Sequence, residues 1–175
     1  MKSGDLGRLG FAALFCALQA LLVVWMTTDQ GFIPDLPEAE RLLDGQRYQE
    51  AIRHLRPLAA AGSARANWML GEMYANGTGV ARDVPRGVRY LERAAESNIP
   101  QAQLLLSRIY SYGDGVQKDL VRAHLWLSLA AAQGRSEGAG LLGLLERMMT
   151  PEEIEQAWAL AERRAPGTRD RLRSQ

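Results

Sequence analysis

Apolar residues recur every three or four positions on either side of a glycine-rich break at 77–82, and this spacing predicts two helices, at about 65–76 and 84–97. The break lies within YANGTGVARD (74–83), and a similar stretch, YSYGDGVQKD, follows at 110–119. The pattern around the second stretch is again helical on both sides. The sequence therefore predicts an all-α protein built from hairpins of two helices.

The two glycine-rich stretches belong to a longer repeat, in which many residues match the residue 36 positions later. The matched pairs include Ala66 and Ala102, Leu70 and Leu106, Tyr74 and Tyr110, Gly77 and Gly113, Gly79 and Gly115, Val80 and Val116, Asp83 and Asp119, Leu91 and Leu127, Ala94 and Ala130, and Ala95 and Ala131. Similarity at a fixed period of this length indicates an array of stacked repeats. The glycine turn is therefore one part of a repeating unit.

The turn has two interpretations, because glycines also allow the backbone of phosphate-binding loops to approach an anion. Such loops need a strand before them and a specifically placed lysine or serine after them, and the context of residues 77–82 supplies neither. In a helical hairpin, the glycines instead end the first helix. Asp83 and Asp119 are then expected to cap the second helices by accepting hydrogen bonds from free N–H groups. We expect a structural turn.

These residues resemble the Sel1-like repeat, a relative of the tetratricopeptide repeat, in which A-x-x-x-L-G-x-x-Y, G-x-G-V-x-x-D and W-L-x-x-A-A-x-x-G recur. The matching residues of the second unit are Ala102, Leu106, Tyr110, Gly113, Gly115, Val116, Asp119, Ala123, Trp126, Leu127, Ala130, Ala131 and Gly134. Gly87, Asn98 and Ser107 depart from the pattern. The resemblance covers about residues 45–149 and implies a short right-handed α-solenoid of helix-turn-helix repeats.

The repeat domain is expected to span residues 31–164. It divides into a leading half unit at 35–62, full units at about 63–98 and 99–134, and closing helices at 136–164. In the closing part, the sequence TPEE predicts a capping box, in which Thr150 caps a helix and Glu153 bonds back to the cap residue. Because solenoids need about three units to bury a continuous core, the two partial units are expected to complete it.

Residues 9–26, LGFAALFCALQALLVVWM, form an almost unbroken apolar run that would be about 27 Å long as a helix. Lys2 and Arg8 precede the run and Asp29 follows it, which places the N-terminus in the cytoplasm and the rest of the chain outside. We expect residues 1–30 to form a cytoplasmic stub and an uncleaved single-pass anchor in the inner membrane, with the repeat domain in the periplasm. The alternatives are a cleaved signal peptide, which would release the protein, and a buried core helix.

Charge and cysteine content narrow the possible partners. The chain has 21 basic and 20 acidic residues, so its net charge of +1 gives no indication of nucleic-acid binding. Its one cysteine, Cys16, excludes an internal disulfide. Arginines are concentrated near the C-terminus, where Pro166 and Gly167 argue against a continued helix. Residues 165–175 are therefore expected to be a basic disordered tail, with a basic patch for anionic lipid or an acidic partner as the alternative.

The sequence shows no pattern typical of catalysis or metal binding. His54 and His124 occupy different units, with no carboxylate or cysteine at metal-ligand spacing. Glu152, Glu153 and Glu155 are interpreted as acids that complement the dipole at a helix N-terminus. We therefore expect no catalytic residue, no metal and no cofactor, and do not expect an enzyme.

The resemblance to tetratricopeptide arrays implies a concave groove lined by the first helix of each hairpin. The side chains expected to face it are Arg65, Trp68, Met69, Glu72, Asn76, Gln101, Leu104, Arg108 and Tyr112. The predicted partner-binding residues among them are Arg65, Trp68, Glu72, Gln101, Arg108 and Tyr112, with the two aromatic residues as anchors. The alternatives are that Glu72 and Arg108 pair with each other across stacked units and that Trp68 is half-buried packing.

The function expected from these features is that of a membrane-tethered scaffold or adaptor for protein–protein interactions in the bacterial cell envelope. A protein or peptide would bind the groove, residues 9–26 would engage the membrane, and self-association would be possible. Two alternatives remain open. The first is a small envelope hydrolase, and the second is a regulatory subunit that acts through its anchor helix.

Overall fold

The computed structural model describes residues 34–134 and 136–174, and within these the side chains of all except residues 136–139. The described residues are helical, without a strand. The helices, numbered in chain order, are α1 (Leu36–Asp44), α2 (Tyr48–Ala60), α3 (Ala64–Asn76), α4 (Val84–Glu96), α5 (Pro100–Tyr112), α6 (Leu120–Ala131), α7 (Ser136–Glu146), α8 (Pro151–Arg164) and α9 (Thr168–Arg173). The all-α prediction is confirmed.

The predicted anchor at 9–26 lies outside the described residues, and no helix within them combines the length and hydrophobicity needed to cross a bilayer.

Successive helices pack as antiparallel neighbours would in a repeat array. Helices α1 and α2, α3 and α4, and α5 and α6 form three hairpins, and α2 packs on α3 as α4 packs on α5. Helix α3 also contacts α5, so first helices of consecutive units are neighbours. The chain therefore forms the α-solenoid that the repeat predicts.

The glycine turns have the structural role that their context predicts. Gly77 and Gly113 end α3 and α5 in the left-handed conformation, with φ of 76° and 68°. The carboxylates of Asp83 and Asp119 accept hydrogen bonds from the backbone N–H groups of the third residues that follow them, at 3.0 and 2.9 Å. The predicted caps are confirmed, and each turn is rigidly defined at both ends.

The second glycine of each turn lies against the preceding unit. A Cβ atom at Gly115 would lie 2.6 Å from Cβ of Val84, the first residue of α4. A Cβ atom at Gly79 would overlap Tyr48, the first residue of α2. Because only glycine permits this approach, each turn docks on the start of the preceding unit's second helix.

A buried amide also connects each unit to the one before it. Asn67 donates a hydrogen bond to the carbonyl oxygen of Ala59 at 3.2 Å, and Gln103 donates to the carbonyl oxygen of Ala95 at 3.1 Å. Both amides are almost fully buried, and they occupy equivalent positions in the two full units. Each amide donates to a carbonyl at the C-terminal end of a preceding second helix, which also accepts from the backbone N–H of Gly62 or Asn98 just beyond that helix.

Helix α6 is the centre of the C-terminal half of the array. Every residue from Ala123 to Ala131 is buried, and α5, α7, α8 and α9 all pack on this helix. A helix that is buried on all sides is apolar on all sides, as residues 123–131 are apart from His124 and Ser128. The core of this half is therefore organised around one helix.

The closing helices depart from the geometry of the full units. Thr150 and Glu153 form the predicted reciprocal capping box, which is confirmed. The connection before α8 comprises residues 147–150, whereas residues 77–83 connect α3 to α4. Helix α8 packs on α6 and α9. The shorter connection removes the glycine turn, so this unit lacks the docking contact of the others.

The prediction of a disordered tail over residues 165–175 is wrong for residues 168–173, which form α9. Gly167 has φ of 78° and begins this helix after the break at Pro166. The Glu162 carboxylate accepts hydrogen bonds from the backbone N–H groups of Gly167 and Arg169, at 2.7 and 2.8 Å. These bonds lower the pKa of Glu162 and hold the turn against the end of α8.

Candidate protein-binding face

The six predicted partner-binding residues lie on two neighbouring helices. Arg65, Trp68 and Glu72 are on α3, and Gln101, Arg108 and Tyr112 are on α5. Within each helix, the spacings of three, four or seven residues place them on one side. Because α3 and α5 are in contact, the two sets form one continuous surface, which we call the first-helix strip.

The side chains of the first-helix strip differ in exposure. Tyr112 is 77% exposed, and Arg65, Gln101 and Arg108 are also exposed. Trp68 and Glu72 are half-buried, and Trp68 packs against both hydrophobic cores of the repeat domain. Met69, expected to face the groove, is instead buried in the core, because it lies about 100° around α3 from Trp68.

Two charge arrangements distinguish the ends of the strip. Arg65 forms an ion pair with Glu40 of α1, and its guanidinium lies over the Trp68 ring at 5.8 Å from the centroid. Arg108, by contrast, has no ion-pair partner among the described side chains, and the alternative pairing with Glu72 is not formed. The N-terminal end is therefore neutralised internally, whereas Arg108 is available to a partner.

The 36-residue period places α7 in the position of a first helix after α5. Leu144 and Met148 lie 36 positions after Arg108 and Tyr112, and they are 58% and 59% exposed. Leu141, one helical turn earlier, is 49% exposed. These three residues and Tyr112 are the large apolar side chains that are exposed to solvent in the described part of the domain. The sequence prediction did not include Leu141, Leu144 or Met148, although the 36-residue offset from Arg108 and Tyr112 identifies the last two.

A polar pair lies behind α7. The Nε2 atom of His124 on α6 is 2.9 Å from Oε1 of Glu146, and the imidazole ring is fully buried against the edge of Trp158. Burial lowers the pKa of His124, although the hydrogen bond with Glu146 opposes this shift. The Nδ1 atom of His124 is buried without a hydrogen-bond partner in the described structure. Glu146 is 22 residues from His124 in the sequence, so no metal-ligand spacing indicates this pairing.

Glu146 also faces a pocket of about 360 Å³ between α7 and the two helices that follow it, α8 and α9. Leu142, Trp158, Arg169 and Leu172 line this pocket with it. Arg169 is held by Glu155 through two hydrogen bonds, at 3.1 and 2.7 Å, and lies over the Trp158 ring. Because His124 is fully buried, its imidazole does not reach this pocket as a base.

Within residues 34–134 and 136–174, no group of three or more His, Cys, Asp or Glu side chains is positioned to hold a metal ion. The most accessible features of the binding face are one aromatic ring, three other large apolar side chains and an arginine without an ion-pair partner among the described side chains. Such groups contribute strongly to protein–protein recognition.

Comparison with known families agrees with this geometry. The family model for the Sel1 repeat matches residues 64–99 and 100–134. Residues 64–134 form two Sel1 repeats. These are the units that contain α3 with α4 and α5 with α6. Proteins with Sel1 repeats generally act as non-catalytic scaffolds for protein–protein interactions.

Two solved structures are similar to this chain. One is a protective antigen of uropathogenic Escherichia coli strains that displays an SLR fold, with a TM-score of 0.65 and 28% sequence identity. The match covers 74% of this chain and 29% of the antigen. The other is a Sel1 repeat protein from Oxalobacter formigenes, with a TM-score of 0.60, 24% identity and coverage of 75% of this chain and 56% of that one. The second likeness supports the fold alone.

This chain therefore spans less than two thirds of either solved relative. The comparison with curated proteins gives no match.

Proposed function

We propose that this protein is a scaffold that binds a segment of another protein on the first-helix strip. The observation that carries the proposal is the combination of Tyr112, which is 77% exposed, with Arg108, which has no charged partner in the described structure, one helical turn away. Large exposed aromatic rings and arginines are the residue types that dominate binding energy at interfaces. The repeat architecture supplies the rigid support on which such residues act.

The proposal includes a location for the scaffold. The apolar run at 9–26, with Lys2 and Arg8 before it, supports a single-pass anchor in the inner membrane of a bacterium, with the repeat domain in the periplasm. Tethering would raise the effective concentration of a partner in the same membrane. Release into the periplasm after cleavage of the N-terminal segment is the alternative.

Site-specific photo-crosslinking of the full-length protein in its membrane tests the binding surface. A crosslinkable residue would replace Tyr112, and a matched control would replace the exposed Arg89 on α4, a second helix. We expect a defined protein adduct from position 112 and none from position 89. Equal adducts from both positions, or none from position 112, would contradict the proposal.

A second experiment separates the strip from the anchor. Replacing residues 1–30 with an unrelated membrane anchor should preserve the adduct at position 112 if the strip carries the specificity. Loss of the adduct in a correctly localised hybrid would instead support the regulatory role in which the anchor helix selects the partner. Both proteins would first be compared by circular dichroism to confirm equal helical content.

A further inference from the structure

The first helices of the array become more exposed toward the C-terminal end of the domain. Met69, Leu105 and Leu141 occupy equivalent positions in three successive first helices. Met69 is 7% exposed, Leu105 is half-buried and Leu141 is 49% exposed. The same apolar position is thus increasingly uncovered toward the end of the array, and we refer to the exposed set Tyr112, Leu141, Leu144 and Met148 as the terminal apolar patch.

The packing of α7 explains this exposure. In the first full unit, a Cβ atom at Gly71 would lie 2.6 Å from Cγ of Leu91 on the paired second helix. At the equivalent Gly143 on α7, a Cβ atom would meet nothing within 4 Å, and the same holds for Gly140. Helix α7 therefore lacks the close second-helix contact that encloses α3, which leaves much of its circumference open.

The geometry of the patch fits a helix. Leu141 and Leu144 lie one turn apart on the same side of α7, and Met148 follows in the turn at 147–149, whose backbone N–H donates to the carbonyl oxygen of Leu145 at 3.0 Å. The three side chains thus form a short apolar stripe at the C-terminal end of α7. Such a stripe can pack between the side-chain ridges of a second helix. Gly140, beside the stripe, adds no side chain that would prevent close approach.

The charged side chains beside the patch indicate which charge its partner carries. Arg108 and Arg147 are exposed next to the patch, and neither has an ion-pair partner among the described side chains. Arg65, at the other end of the strip, is already paired with Glu40. Segments that bind anionic lipid typically carry four to eight clustered basic residues, which two arginines do not provide.

Resting on the proposed function, we infer that the terminal apolar patch binds an amphipathic helix of another protein, whose apolar stripe is flanked by aspartate or glutamate. The apolar side chains of that helix would cover Leu141, Leu144 and Met148. Its acidic residues would pair with Arg108 and Arg147. This assigns the C-terminal end of the strip as the part that selects the partner's chemistry.

Peptide binding to the full-length protein tests this inference. The probe is a fluorescein-labelled helical peptide of about four turns, with leucines at positions one, four and eight and glutamates on either side. Its control is the same peptide with lysines in place of the glutamates. Fluorescence anisotropy should show that the glutamate peptide binds at least about tenfold more tightly. Equal affinity for both peptides would overturn the role of the arginines.

Protein variants locate the binding site. Leu144→Glu and Arg108→Glu should each weaken binding of the glutamate peptide by about tenfold or more. The matched controls are Ala159→Glu and Arg89→Glu, which make the same changes in charge at exposed positions on α8 and α4, and they should bind as the unchanged protein does. Equal effects of variants and controls would contradict the assignment of the site.

Other occupants of the patch give different results. If Leu144→Glu converts a dimer to a monomer in analytical ultracentrifugation, the occupant is a second copy and the inference is wrong. If anionic vesicles compete with the glutamate peptide but zwitterionic vesicles do not, the occupant is a lipid surface and the inference is again wrong. If Leu144→Glu leaves the crosslink at position 112 unchanged, the proposed function holds and this inference fails.

Discussion

His124 on α6 and Glu146 on α7 meet through a hydrogen bond of 2.9 Å between Nε2 and a carboxylate oxygen. The positions 36 residues earlier hold Val88 and Tyr110. Both members of the pair therefore differ from the corresponding residues of the preceding unit. Since a carboxylate only accepts hydrogen bonds, the neutral imidazole donates through Nε2, and its buried Nδ1 is left as an acceptor without a partner.

This pair predicts that stability depends on pH in a defined window. Burial lowers the pKa of His124 in the folded protein. Below about pH 6.5, this histidine is therefore protonated in the unfolded chain but stays neutral in the folded protein until the pH reaches its lower folded-state pKa. The free energy of unfolding should therefore fall as the pH decreases from about 6.5 through the folded-state pKa. Urea unfolding at a series of pH values measures this dependence.

The matching variant is His124→Val, which introduces the residue type found at Val88. It should remove the part of the pH dependence that lies between neutrality and about pH 4.5. The carboxylates of Glu155 and Glu162, whose pKa values are lowered by hydrogen bonds, contribute to the loss of stability below that range. An unchanged slope in the variant would show that His124 does not carry the effect.

The docking of the glycine turn on the preceding unit predicts a large cost for Gly115→Ala. The new Cβ would overlap Val84, and its residue would also be held at φ of 74°. Together, the left-handed conformation and the overlap should lower the free energy of unfolding by about 3 kcal/mol. Gly134→Ala is the control, because its φ is 84° but nothing lies within 4 Å of the added atom.

Gly134→Ala should cost only about 1–2 kcal/mol, the conformational part alone. Urea denaturation curves of the two variants, fitted with a shared m-value, give the comparison. Equal losses for both variants would show that the contact with Val84 relaxes without penalty.

The cap of α6 predicts that Asp119→Ala lowers the free energy of unfolding by about 1 kcal/mol. Its carboxylate accepts the hydrogen bond from the Arg122 backbone N–H at 2.9 Å. Asp119→Asn retains a side-chain oxygen and should restore most of the loss. Thermal unfolding monitored by circular dichroism tests both variants. If the asparagine variant is as unstable as the alanine variant, the charge, and not the cap, is responsible.

Two tyrosines two residues apart should differ in how much stability is lost when a side-chain group is removed. The hydroxyl of Tyr110 donates to Glu92 at 2.9 Å and accepts from Arg122 at 3.1 Å, so Tyr110→Phe should lower the free energy of unfolding by about 1–2 kcal/mol. Tyr112 is 77% exposed, so Tyr112→Ala should change it by less than about 0.5 kcal/mol. Urea denaturation measures both. A large loss for Tyr112→Ala would place this ring in the core and remove it from the binding face.

The parts of the fold that depend on local sequence could be predicted well. Gly77, Asp83 and Asp119 act on groups within a few residues of themselves, and the 36-residue period places them without a structure. Leu70 and Leu106 are buried because apolar spacing identifies the inner side of a helix. These positions are determined by helix geometry alone.

The remaining features depend on packing between distant segments. The partner of His124 is 22 residues away across a unit boundary, and no local spacing indicates it. Met69 and Trp68 are adjacent in sequence, so a small difference in helix orientation decides which of them is buried. Helix α9 forms against α6 and α8 although its composition resembles a solvated tail. In each case, tertiary contacts override the local pattern.

The contact of each glycine turn with the start of the preceding second helix gives the array a direction of assembly. Gly79 packs against Tyr48, and Gly115 packs against Val84. Every docking site therefore lies earlier in the chain than the turn that occupies it. During synthesis on the ribosome, each site has emerged before the turn that uses it. The nascent chain can therefore fold unit by unit from its N-terminal side, without waiting for residues that are still to be translated.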